Sequence, residues 1–272
     1  MLDRFFSTLS LVSRIPIKGR FSFDPSGMDF YLPITGLFPA FLGALVFWGG
    51  AFFMDSPILV VIMLILQYGG FNLFHLDGLV DTADAFLGNF SREKRIAILK
   101  DSRIGVYGLF AGIAVLSLKA ALLYSLLPFI EQFPASVLAY PISGRFSAAL
   151  LPALVTPLRP EGLGSLAKDT RPWRAVAGTL ISLLLWTAIV WGCLVLVALF
   201  PFRLGQDLTK GAPFAGIIHL ALPVTGVLSA VFFARLYGKH LGGYTGDALG
   251  AAIEIGELLH LAGAYGAMLY RY

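Results

Sequence analysis

Asp77, Asp81 and Asp84 in the segment HLDGLVDTAD follow one another at intervals of four and three residues. On a helix they fall within a stripe about 60° wide, so one face carries all three carboxylates. Like charges this close repel unless a cation neutralises them, and hard oxygen donors select Mg²⁺ or Mn²⁺. Mg²⁺ is commonly held by one or two carboxylates together with substrate phosphates. A solvated acidic helix start would look similar. The segment, however, directly continues an apolar run, where uncompensated acids are costly.

A second acidic set lies in GGYTGDALGAAIEIGELLH. Asp247 and Glu254 are about 20° apart around a helix, with Glu257 about 80° away. A carboxylate at the centre of a bilayer costs about 2.5–3.5 kcal/mol on insertion scales, so it faces a cavity, a partner or a metal. Glu254 stands about 10 Å beyond Asp247 along the helix. For Glu254 and Glu257 the alternative to a metal is buried pairing with Arg145 or Lys119. Gly242, Gly246 and Gly250 recur every four residues, leaving a smooth face for a neighbouring helix or a ligand.

Between the two sets, KDSRIGVYG offers Lys100, Asp101 and Arg103. Cations beside carboxylates suit a diphosphate, with Arg giving bidentate contacts and Lys a point charge. Ordinary loop cations would look the same, and that reading covers most of Arg92, Lys94 and Arg95. His75 would sit about 160° around the helix from Asp77, so it reads as an interfacial hydrogen-bonding residue rather than a ligand.

The elements that must position these residues are membrane helices. The chain is 57% hydrophobic and 13% charged with mean hydropathy +0.80, against about 45–50% and about 25% in soluble domains. We expect an all-α, polytopic transmembrane bundle of about seven spans, near 32–53, 57–74, 104–130, 134–157, 175–201, 212–234 and 247–270. Of 20 Lys and Arg, fifteen fall in the N-terminal arm and in alternate loops. That bias places the N-terminus and those loops in the cytoplasm.

Residues 1–272 read as a single integral membrane domain. Residues 1–31 form an arm in which Leu2, Phe5, Phe6, Leu9 and Val12 have the spacing of an interfacial helix. Asp3 and Arg14 interrupt any signal-peptide pattern. The long loop 75–103 is expected to be catalytic. Cys193 is the single cysteine and reads as packing. The net charge of +4 fits anionic lipid and makes no case for nucleic acid. No G-x-x-x-x-G-K-[ST], H-E-x-x-H or paired C-x-x-C occurs, which argues against a Walker ATPase, a zinc metalloprotease and a zinc ribbon.

Several blocks resemble the cobalamin synthase family, the adenosylcobinamide-GDP ribazoletransferases: FFSTLSLVSRIPI, YLPITGLFPAFLG, FHLDGLVDTADAFLGNFSREKRIAILKDSRIGVYG, SGRFSAALLPALVTPLRPEGLG and GGYTGDALGAAIEIGE. Ser13 departs from the family's usual Thr. The resemblance implies a Mg²⁺-dependent enzyme of a bacterial inner membrane, its active site facing the cytoplasm. It would join adenosylcobinamide-GDP to α-ribazole or its 5′-phosphate, releasing GMP, in the last joining step of the coenzyme B12 nucleotide loop. On that reading Asp77, Asp81, Asp84, Asp247 and Glu254 are expected to hold Mg²⁺, with Asp81 or Asp84 taking the nucleophile's proton. Lys100, Arg103 and Arg145 are expected to stabilise phosphoryl charge, and Asp101 and Gly246 to line the same binding site. Membrane lipid is an expected partner, and a homo-oligomer or other enzymes of the cobalamin pathway are further expected ones.

Two alternatives are weighed. The CDP-alcohol phosphotransferases also carry spaced aspartates, but their D-x-x-D-G-x-x-A-R pattern is not met, since Asp84 is followed by Ala85 with no Ala-Arg pair at that spacing. A divalent-cation transporter needs acids across the whole bilayer, and here they stop at Glu257.

Overall fold

A computed structural model describes residues 1–17, 19, 21–51, 53–130, 133–199 and 219–271. The helices are α1 (Leu2–Val12), α2 (Met28–Thr35), α3 (Leu37–Gly50), α4 (Ser56–Gln67), α5 (Leu73–Phe86), α6 (Arg92–Ile98), α7 (Val106–Ile130), α8 (Pro134–Val137), α9 (Tyr140–Leu150), α10 (Pro172–Leu199), α11 (Thr225–Leu241) and α12 (Gly246–Arg271). Among the described residues there is no β-strand, only an isolated bridge between Pro157 and Tyr244. The protein is thus an all-α, multi-pass membrane fold.

Among the described residues, five helical stretches are long and apolar enough to cross a bilayer: Met28–Gly50, Ser56–Phe86, Val106–Ile130, Pro172–Val195 and His219–Leu241. Their outer faces are apolar, with Phe110 and Leu184 each 69% exposed. Lipid leaves no hydrophobic force to hold helices together, so small and polar residues face inward instead. The last helix, α12, is 26 residues long, but its acids keep it outside the apolar class.

The structure departs from the expected spans in two places. Residues 134–157 are not one continuous helix: α8, α9 and a 3₁₀ turn at Leu151–Ala153 follow each other in short pieces. Pro134, Pro141 and Pro152 each open a new piece, as proline does at a first helical turn. Every residue of α9 is buried, because α2, α10, α11 and α12 all pack against it. Residues 75–103 are likewise not a loop throughout. The second apolar stretch runs on through a π-turn at Tyr68–Asn72 into α5, and α6 follows.

Lys18 and Arg20 of the N-terminal arm, and Arg203 and Lys210 between the expected fifth and sixth spans, lie outside the described residues, as do the end of the fifth of those spans and the start of the sixth.

Candidate functional site

Helices α5 and α12 meet at almost no distance. A Cβ on Gly78 would stand 2.8 Å from the Asp247 carbonyl oxygen, and one on Gly250 would stand 2.9 Å from the His75 carbonyl oxygen. Backbones this close require glycine at the crossing. The crossing brings the start of α12 against the middle of α5, so Asp247 arrives beside the first acidic set. Asp81 lies within electrostatic reach of Asp77, Asp84 and Asp247, and Asp247 within reach of Asp77.

The aspartates differ in their surroundings. Asp77 is exposed, while Asp81 and Asp247 are half-buried. The Thr245 hydroxyl donates to Asp247 Oδ2 at 3.0 Å and orients it. Among the described residues, none of these three carboxylates forms an ion pair.

Asp84 is used otherwise. Its Oδ2 accepts the Gly105 N–H at 2.7 Å and its Oδ1 the Gly108 N–H at 2.8 Å. It therefore caps the start of α7 from a neighbouring helix, satisfying amides that have no partner within their own helix. Both glycines are needed, since a Cβ would come within 2.4 Å of Asp84 at Gly105 and within 2.3 Å at Gly108. Asp84 was expected as metal ligand or base. Each of its oxygens accepts a backbone N–H, so in this structure it anchors the α7 start, with one further lone pair left on each oxygen.

Glu254 and Arg145 need a second correction. The Lys119 ammonium donates to Glu254 Oε2 at 2.6 Å and to Glu257 Oε2 at 2.7 Å. Tyr68 donates to Glu254, and Arg145 donates to Glu257 and to the Asn72 side-chain oxygen. Lys119, Arg145, Glu254 and Glu257 are all fully buried. Two cations against two carboxylates leave the cluster neutral, as a low-dielectric interior requires. Glu254 is therefore paired with Lys119 instead of joining the aspartates, and Arg145 is buried against Glu257 and Asn72 instead of lining the cleft.

Of the residues in KDSRIGVYG, Asp101 and Arg103 pair with each other at 2.6 Å on the surface. The Arg103 guanidinium holds the Asp101 carboxyl down to about 2. Lys100 instead lines a cleft of about 280 Å³ that also contains Gly246 and Asp247. The cations of α6 have structural tasks: Arg92 donates to the Leu241 carbonyl and Arg95 to the Ala85 carbonyl, near the C-terminal ends of α11 and α5.

Sequence reasoning missed Arg159. It lines the same cleft and lies within electrostatic reach of Asp247. Leu158 N–H donates to the Tyr244 carbonyl at 2.8 Å and Tyr244 N–H to the Thr156 carbonyl at 3.0 Å, so this connection is strapped to the residues just before α12. The run LRPEGLG was a readable signal, because a cation among turn-forming residues is a binding-loop pattern.

Among the described residues no three Asp, Glu, His or Cys side chains close into a metal cage by themselves. Hard carboxylate oxygens without cation partners still fit Mg²⁺, whose coordination substrate phosphates and water commonly complete.

Fold and site together define a polytopic helical membrane protein in which aspartates of α5 and α12 meet beside a cleft that Lys100 and Arg159 also line. The profile of the cobalamin-5-phosphate synthase family matches residues 4–265, and the chain belongs to that family of transferases of cobalamin biosynthesis. Relatives named adenosylcobinamide-GDP ribazoletransferase include one from Leptothrix cholodnii, 33% identical over 93% of this chain and 91% of the relative. Those from Escherichia coli K12 and Shewanella amazonensis are 32% and 33% identical, covering 96% and 95% of this chain and 98% and 93% of their own lengths. No solved structure matches the chain.

Proposed function

We propose that this protein joins adenosylcobinamide-GDP to α-ribazole or its 5′-phosphate at the inner face of a bacterial cytoplasmic membrane, releasing GMP. A ribazole hydroxyl attacks the phosphorus attached to cobinamide. The new O–P bond forms as the P–O–P bond breaks, GMP leaves with the electron pair, and the hydroxyl proton passes to a carboxylate. The observation that carries this reading is the convergence of Asp77, Asp81 and Asp247 from α5 and α12, none of them in an ion pair among the described residues.

These three carboxylates would hold Mg²⁺. Bound there, the ion would neutralise charge on the diphosphate and orient it for in-line displacement. Asp81, half-buried and without an ion pair among the described residues, would receive the proton. Lys100 supplies positive charge to the phosphoryl oxygens from the rim of the cleft. Asp84 sets the position of the α7 start and thereby the cleft's neighbouring wall.

The test is GMP release by the purified protein in lipid, given adenosylcobinamide-GDP, α-ribazole 5′-phosphate and Mg²⁺. Release that needs all three supports the assignment. Absence of release, where a known family member turns over, removes it.

A further inference from the structure

We infer that the cleft between α6, the 156–165 connection and the start of α12 is the subsite for the acceptor nucleoside, with Arg159 as the anchor for its 5′-phosphate. This rests on the transferase reading above and assigns one of its two substrates to a place.

Size limits the occupant to one group as large as a nucleotide. The cleft has about 280 Å³, just below the roughly 300–1,000 Å³ of small-molecule sites. That volume accommodates one nucleoside monophosphate. The corrinoid is several times larger and is excluded, while the donor's GMP end is of similar size, so the lining must separate that end from the acceptor nucleoside.

Chemistry agrees with size. Phe74, Ile96, Leu99 and Leu158 give the cleft an apolar lining, suited to a base with few hydrogen-bonding groups. Lys100, Arg159, Glu161 and Asp247 bring charge to the same cleft, two cations among them for a phosphate. A base without exocyclic amines or carbonyls gains little from polar walls, whereas a phosphate monoester gains most from a guanidinium.

Geometry adds the link to the reacting centre. Arg159 directly follows Leu158, whose N–H is held by the Tyr244 carbonyl, and the Tyr244 hydroxyl donates to the Gly164 carbonyl at 2.7 Å. Tyr244 stands three residues before Asp247. One backbone strap thus fixes the phosphate anchor relative to a carboxylate of the reaction site, as a nucleoside held by its 5′-phosphate with its ribose hydroxyl at the acids would need.

The experiment compares binding of α-ribazole 5′-phosphate and of unphosphorylated α-ribazole to the full chain in lipid nanodiscs, by calorimetry, alongside GMP-release kinetics. Arg159→Ala is expected to weaken the phosphorylated nucleoside by about 10- to 100-fold. It should leave the unphosphorylated one within about twofold, and Arg159→Lys should recover part of the loss. KM for the phosphorylated acceptor should rise more than kcat falls, with KM for adenosylcobinamide-GDP unmoved. Phe74→Ala is expected to weaken both nucleosides alike. Equal losses for both nucleosides in Arg159→Ala, no loss for either, or failure of the wild type to bind ribazole phosphate would each overturn the assignment. Normal GMP release combined with an indifferent Arg159 would sink the subsite alone. Arg159-dependent nucleoside binding without any GMP release would sink the transferase reading alone.

Discussion

A Cβ on Gly78 would stand 2.8 Å from the carbonyl oxygen of Asp247, so the two helices that carry the acids touch backbone to backbone. Backbone cannot yield as the end of a flexible side chain can. Gly78→Ala must therefore push α12 away from α5 and separate Asp247 from Asp77 and Asp81. We expect kcat to fall by about 10- to 100-fold, on the scale of a misplacement of about 1 Å, with the protein still folded by thermal melting. Retention of full activity would show that this contact does not set the reacting geometry.

Asp81→Asn and Asp247→Asn keep side-chain volume and remove charge. Each is expected to reduce turnover by at least about 100-fold while leaving the melting temperature in lipid within a few degrees, because neither carboxylate anchors an ion pair among the described residues. Circular dichroism melts paired with GMP release check this.

Asp84→Ala behaves differently, since it strips two amides of their acceptor at the start of α7. A loss of about 1–3 kcal/mol in stability is expected, together with lost activity. Gly108→Ala should reproduce the instability with every charge kept, because its Cβ would press on the Asp84 carboxylate. A normal melting temperature for Asp84→Ala would contradict the capping role.

Lys119→Met leaves Glu254 and Glu257 buried beside the single cation Arg145. Breaking a buried pair costs about 3–5 kcal/mol, so little folded protein should be recovered. Lys119→Met with Glu254→Gln should recover much of the stability, since charge balance returns. A double variant no better than the single one would show that the cluster acts through packing instead of charge.

The exposed Asp101–Arg103 pair carries little stability. With Asp101 held down to about 2, the pair is intact above the carboxyl's ordinary range and is lost only as pH falls towards 2. Arg103→Ala should leave the melting temperature and the pH profile between 5 and 9 unchanged, as a thermal scan across that range would report.

The acidic faces were legible because carboxylates in apolar surroundings need a reason, and helical spacing alone puts Asp77 and Asp81 on one stripe. Their meeting with Asp247 followed from topology and from glycine spacing. Asp84 could not be separated from its neighbours by periodicity, since its partners are backbone amides that any sequence carries. Glu254 and Arg145 were readable only as alternatives, because pairing depends on which helices adjoin. The broken helix at 134–157 shows the limit of hydropathy: a buried apolar segment and a lipid-facing one have the same composition, and prolines alone marked the difference.

The central claim is that carboxylates from α5 and α12 share one divalent ion. Mn²⁺ binding, followed by electron paramagnetic resonance on the protein in nanodiscs with GDP present as a stand-in for the donor's diphosphate, measures this most directly. We expect Asp81→Asn and Asp247→Asn each to weaken Mn²⁺ by about tenfold or more, and Glu254→Gln to leave the ion's spectrum unchanged. Tight Mn²⁺ binding that survives loss of Asp81 or of Asp247 would contradict the account.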